Sequence, residues 1–320
     1  KNGDIVEICG IPEKVKDSSV GGADRKEIAQ KSENKDIEKI PAEKNTFGKG
    51  SGNADRSQNK RDHVKAPGEY AKIMLPELTF PYLIPGQEVL LDDGKIHLKI
   101  VEKAENVTEN GGENTQEKRY FAKVLWGGLL KSRKSAALPG AKIYPPTLTN
   151  SDLANIKIAK EMGVTGVMQP FVRDHSDLEC VKEALREAGA EDIRLFAKIE
   201  NMDGVRKLEK LLPAADEIVI ARGDLGNAVH LWDLPGVQRQ ISEKCRAAGK
   251  PFMVVTQMLA SMERSPVPTR AEVNDIFHAV MDGAASIMVT GETAVGDYPV
   301  EVIRYMVNTV RSAEKKKIDK

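Results

Sequence analysis

The chain of 320 residues is 40% hydrophobic and 30% charged, enough for one large domain or two smaller ones. Its 48 Lys and Arg balance 48 Asp and Glu, so no net charge directs it to nucleic acid or to an anionic membrane. No apolar run approaches the roughly 20 residues of a spanning helix, and nothing at the start reads as a signal peptide. We expect a cytoplasmic protein that engages neither membrane nor nucleic acid. The chain opens on Lys1 rather than Met, so we also expect a part upstream of it.

Cys9, Cys180 and Cys245 form no CxxC pair. Cys180 and Cys245 fall within amphipathic helical patterns and read as small core residues. His63, His97, His175, His230 and His278 show no HExxH or HxH spacing, which argues against a zinc site.

In chain order, residues 1–10 group with 67–139 as a small antiparallel β-domain. Between them, residues 11–66 carry few strong apolars among Lys, Glu, Asn, Ser and Gly, as in "KNTFGKGSGNADRSQNKRD". Such a stretch buries too little surface to offset its ordering entropy, and we expect a disordered insertion. In "GQEVLLDDGKIHLKIVEK" the Asp92-Asp93-Gly94 triplet separates two apolar runs and predicts a hairpin.

After Gly140 a helix at about 151–162 precedes strand and helix in alternation. "VTGVMQPFV" leads to a helix with Ser176 and Glu179 as a capping box and Gly189 as a stop. "IRLFAKIE" precedes "MDGVRKLEKLL". "EIVIARG" precedes a helix with Val237, Ile241 and Cys245 on one face, stopped by Gly249. "PFMVVTQ" precedes a helix capped by Thr269 with Glu272 and carrying Val273, Phe277 and Val280. "SIMVTG" leads to a helix from Pro299 with Val300, Ile303, Val307 and Val310 on one face. Five such units with short loops predict a parallel sheet, and residues 140–320 read as the last five units of a (β/α)8 barrel.

Barrel chemistry gathers where strands end. Here those ends carry Lys198 and Glu200, Arg222-Gly223-Asp224, Thr256-Gln257, and Thr290-Gly291-Glu292. Lys198 and Glu200 share one strand face, and Asp224 ends the next strand. Two converging carboxylates suit Mg²⁺ or Mn²⁺, and a lysine beside them suits a developing phosphoryl or enolate charge. The same residues also fit a plain salt bridge and a helix cap. The Arg-Gly-Asp tripeptide is no adhesion motif, because "EIVI" anchors it to a core strand.

"AKIEN", "VIARGDLG", "TQMLASM", "VPTRAEVNDI", "VMDGA" and "MVTGETAVGDYP" resemble, in order and spacing, the successive motifs of the pyruvate kinase family. "LLDDGKIHLKI" and "KSRKSAALPG" resemble the end of that family's inserted β-domain and its return to the barrel. The resemblance implies a (β/α)8 barrel with a β-domain inserted after the third strand, the first three strands lying before Lys1. Those strands carry the family's phosphate and K⁺ ligands, and no motif here matches them.

The resemblance further implies that Lys198 stabilises the transition state while Glu200 and Asp224 hold Mg²⁺ or Mn²⁺. Backbone at Gly223 and Asp224, with Thr256, would bind the substrate carboxylate, and a proton would reach the enolate near Thr256. Lys134 would touch the nucleotide. Thr290, Val295, Pro170 and Ala137 depart from the family's common residues, and the usual C-terminal regulatory domain has no counterpart. The implied activity is phosphoryl transfer from phosphoenolpyruvate to ADP, giving pyruvate and ATP, the last step of glycolysis. Two alternatives stay open: a metal-dependent aldolase or lyase acting on a pyruvate enolate, and a catalytically inactive relative that only binds ligand. The helix opened by "PTRAEVNDIFHAV" resembles the family's barrel–barrel contact, which predicts a homodimer when the protein is complete.

Overall fold

Six short apolar runs pair into the first sheet. They are β1 (Ile5–Gly10), β2 (Ala71–Leu75), β3 (Glu88–Leu91), β4 (Ile96–Lys103), β5 (Tyr120–Trp126) and β6 (Ala136–Ala137), in the order β2-β1-β5-β4-β3-β6. This computed structural model describes residues 2–10, 70–104, 119–132 and 134–318. The expected insertion, residues 11–66, lies outside them. Asp92, Asp93 and Gly94 take φ of 50°, 56° and 82° and close the β3–β4 hairpin. Left-handed residues match the twist of the strands they join, and glycine takes that region without steric cost. Val89, Leu98, Ile100 and Ala122 are buried beneath the sheet, with Phe80 set edge-on to Tyr120 at 5.6 Å.

The sheet is mixed rather than wholly antiparallel. β1 runs antiparallel to β5 but parallel to β2. A parallel pair needs a crossover, and the long stretch between Gly10 and Ala71 removes the constraint that made an all-antiparallel meander the simpler expectation.

The second sheet is wholly parallel. Its strands are β7 (Gly166–Gln169), β8 (Arg194–Ile199), β9 (Glu217–Ala221), β10 (Phe252–Val255) and β11 (Ser286–Met288), paired in sequence order. Alternate residues of β9 serve different faces: Ile218 and Ile220 join the core under the helices, while Val219 and Ala221 pack with Val255 on the other side. Burial on both faces is the signature of a parallel sheet covered by crossover helices. Both sheets belong to the unit formed by Lys1–Gly10 and Ala71–Lys320.

Helices follow the strands. They are α1 (Asn150–Ala159), α2 (His175–Glu187), α3 (Met202–Arg206), α4 (Leu208–Leu211), α5 (Arg222–Ala228), α6 (Leu234–Ala247), α7 (Arg270–Met281), α8 (Gly291–Ala294) and α9 (Pro299–Ile318). Thr149 with Asp152 and Thr269 with Glu272 form reciprocal capping boxes on α1 and α7. Gly189 and Gly249, both at φ 62°, stop α2 and α6. No helix among the described residues is long and apolar enough to cross a membrane.

Three local expectations are corrected. Asp174, not a Ser176–Glu179 box, caps α2 by accepting from the Ser176 amide. Cys180 is exposed, because the buried stripe of α2 is Leu178, Val181, Ala184 and Leu185, and residue 180 points about 100° away from Val181. On α9, Val302, Thr309 and Ala313 are buried, whereas Val300, Ile303 and Val307 face outward. Both stripes obey helical spacing, so periodicity alone could not choose between them. The same ambiguity on α7 resolves to Ile276, Ala279 and Val280 inside, with Phe277 half-buried.

Candidate active site

Strand alternation sends Lys198 and Glu200 to one face of β8, where Lys198 Nζ lies 2.7 Å from Glu200 Oε1. Glu200 is buried, and its other oxygen accepts the Phe171 amide at 2.7 Å. A buried carboxylate is tolerable only with its oxygens matched, and here both are. Phe171 reaches it from the end of β7 with φ 51°, an unusual value for a bulky residue.

β9 ends at Ala221 and α5 begins at once, so Gly223 and Asp224 occupy a helix's first turn. Amides in a helix's first turn have no partner within that helix, which leaves those of Gly223 and Asp224 for groups outside α5. The Asp224 carboxyl is pushed up to about 6, by burial first and then by the charges of Glu200 and Asp93, against the pull of Lys198. The Glu200 charge reaches Asp224 from the paired neighbouring strand β8. Among the described residues no group of three or more His, Cys, Asp or Glu is spaced to hold a metal ion. Mg²⁺ needs fewer, since one or two carboxylates with substrate oxygens and water complete its shell. The charge of Asp224 is costly in this buried setting, which fits such an ion.

β10 ends in two consecutive left-handed residues, Thr256 at φ 75° and Gln257 at φ 53°. The Thr256 hydroxyl donates to the Val255 carbonyl at 2.6 Å, and the side chain sits over Gly223, where a Cβ would meet it at 3.7 Å. Arg222 holds the turn from below, donating to the Thr256 carbonyl at 2.7 Å and to Asp275 at 2.6 Å.

At the end of β11 the polar residue works inward. Glu292 is buried and accepts the Leu259 amide at 3.2 Å and the Thr290 amide at 2.8 Å, joining two strand-end loops. A Cβ on Gly291 would overlap the Glu263 carboxylate, so a larger residue there would have to displace that flexible side chain. Val295 is 66% exposed and contributes nothing to that packing.

Lys134 lies at the β3–β4 turn, its Nζ 2.8 Å from Asp92 Oδ1. The Asp92 hydrogen bond and charge raise its pKa. Ser135 donates to Asp93 at 2.7 Å, and a Cβ on Gly94 would come within 3.5 Å of Asn227 Oδ1 in α5. The hairpin tip therefore stands against the strand-end residues. That explains how Asp93 acts on Asp224 and Glu263 on Lys134.

The structure thus brings together Lys198, Glu200, Gly223, Asp224 and Thr256, and sets Lys134 by the adjoining hairpin. Sequence reasoning missed the Phe171 amide, the Arg222–Asp275 bridge across 53 positions, and the bracing role of Glu292. Arg222 and Asp275 lay inside recognised motifs, but nothing local links them. An unusual backbone at Phe171 leaves no trace in residue type.

Parallel strands that deliver an ammonium, two carboxylates and a clamped threonine to one end define an α/β protein with a polar, charged strand-end site. Residues 57–303 match the family model described as pyruvate kinase, barrel domain. The pyruvate kinase of Bacillus licheniformis is 38% identical over 229 residues, 72% of this chain and 37% of that protein. That of Geobacillus stearothermophilus is 40% identical over 233 residues, 72% of this chain and 38% of the relative. That of Chlamydia trachomatis serovar D is 34% identical over 242 residues, 76% and 47% of the two chains. The chain spans less than half the length of these relatives, and it belongs to the pyruvate kinase family.

Proposed function

We propose that this chain carries the metal and phosphoryl-transfer residues of a pyruvate kinase, converting phosphoenolpyruvate and ADP into pyruvate and ATP. In this reading the parallel βα units are the last five of a (β/α)8 barrel, and the six-stranded sheet is the domain inserted after the third strand. The observation that carries it is the Lys198 ammonium 2.7 Å from Glu200, with Asp224 at the next strand end raised by burial first and then by the same carboxylate.

Glu200 and Asp224 would hold Mg²⁺ or Mn²⁺, which when bound would supply Lewis-acid neutralisation of phosphoryl and enolate oxygens. Lys198 places its ammonium beside that charge and meets the transferring phosphoryl group as negative charge spreads over its oxygens. The amides of Gly223 and Asp224, with the Thr256 hydroxyl, bind and orient the substrate carboxylate. The enolate takes its proton near Thr256, directly or through water. Lys134 exchanges Asp92 for the nucleotide phosphates. K⁺ is the expected monovalent partner. The complete protein works as a cytoplasmic homodimer.

The test is ADP-dependent release of pyruvate from phosphoenolpyruvate, with Mg²⁺ and K⁺, by the protein extended upstream of Lys1. Lys198→Met should lower turnover about 10²–10³-fold, the usual consequence of losing one stabiliser of developing charge. Product formed without ADP would point to lyase chemistry instead. Mn²⁺ binding without turnover would mark an inactive relative.

A further inference from the structure

Two adjacent non-glycine residues in the left-handed region, one of them β-branched, make the Thr256–Gln257 turn the most strained backbone at the site. Such conformations persist only where surrounding structure over-determines them. The surroundings here are specific. Arg222, whose side chain is 13% exposed, donates to the Thr256 carbonyl at 2.7 Å, to Met258 Sδ at 2.8 Å and to Asp275 Oδ2 at 2.6 Å. From the other side, the buried Glu292 takes the Leu259 amide. The loop is therefore held at residues 256, 258 and 259 by Arg222 of α5 and Glu292 of α8, with Asp275 of α7 fixing Arg222. None of the mechanistic roles above uses Arg222 or Asp275.

We propose that Arg222 is a positioning residue, which Asp275 of α7 aims and which clamps the strained turn so that the Thr256 side chain stays over Gly223. A planar guanidinium makes these directed contacts at once, and a lysine ammonium on a flexible stem cannot reproduce them. As a claim about the turn this stands by itself. As a claim about substrate orientation it rests on the function proposed above.

Two measurements decide it. The first is a double-mutant cycle on folding of the present chain, monitored by urea denaturation. Glycine adopts φ near 75° freely, so Arg222→Met should lower the folding constant tenfold or more in the parent but less than threefold in a Thr256→Gly background. An equal loss in both backgrounds overturns the clamp.

The second measurement compares affinity for Mn²⁺ with affinity for oxalate, a planar dicarboxylate of enolate-like shape, on the Mn²⁺-loaded protein. Arg222→Met should leave Mn²⁺ affinity within about threefold and weaken oxalate at least tenfold, with Asp275→Asn intermediate and Arg222→Lys recovering only part. Parallel loss of Mn²⁺ and oxalate affinity would reduce Arg222 to a structural residue and overturn the positioning role. A parent protein that binds Mn²⁺ but not oxalate would count against the proposed function and the substrate-orienting claim together. The folding cycle would still decide the clamp.

Discussion

Asp177 is 4% exposed and nonetheless ionised. Burial alone would push its carboxyl up. Hydrogen bonds from Arg173 and Thr147 outweigh that and hold it at about 2, with Arg173 Nη2 only 2.5 Å from Oδ1. A carboxylate depressed in the folded state adds stability above its unfolded pKa and loses it as pH falls through the folded one. The shift from 3.8 to about 2 corresponds to about 2 kcal/mol, present above pH 4 and gone below pH 2. Urea denaturation should therefore show Asp177→Asn less stable than the parent at pH 6. The gap should narrow by about 2 kcal/mol between pH 4 and pH 2. A pH-independent gap would mean that the carboxylate charge is not what Arg173 needs.

The β3–β4 hairpin connects one element to the site in a way that a single substitution can probe. Gly94 sits at φ 82°, where a side chain strains the backbone, while its Cβ would meet only ordinary contact with Asn227. Gly94→Ala should cost about 1 kcal/mol of stability, the left-handed penalty without an added clash. Thermal or urea unfolding reads it directly, and no change would argue that the turn relaxes in solution.

This hairpin was legible in the sequence because its signal is local: two apolar runs and a turn triplet. So were the capping box at Thr269 and the glycine stops, whereas the box at Thr149 emerged only with the structure. What stayed hidden depends on partners far along the chain. The parallel β1–β2 pairing joins residues more than 60 positions apart. The inward stripe of α9 is chosen by α7 and α8, against which it packs, and not by its own spacing. At the site, Lys198, Glu200 and Asp224 were readable from strand period and position. The Phe171 amide and the Arg222–Asp275 bridge were not, because both follow from how loops settle once the strands have paired.

On the scale of the whole molecule, β7 and β11 are edge strands, each paired on one side only among the described residues. Unpaired edges of a parallel sheet invite further strands. Under the proposed function, the 320-residue chain should therefore turn over phosphoenolpyruvate and ADP at least about tenfold more slowly than a version extended with strands on those edges. Equal rates would show that the visible strands suffice. Sedimentation of the extended protein should give a dimer.

The central claim is that strand ends far apart in sequence make one cation site. It is tested most directly by Mn²⁺ titration of this chain, followed by electron paramagnetic resonance. The account predicts saturable binding that weakens at least about tenfold in Glu200→Ala and in Asp224→Ala, as loss of a carboxylate ligand requires. It predicts no weakening in Lys198→Met, since that change frees Glu200 from its ammonium partner. Mn²⁺ affinity unchanged in both carboxylate variants would contradict it.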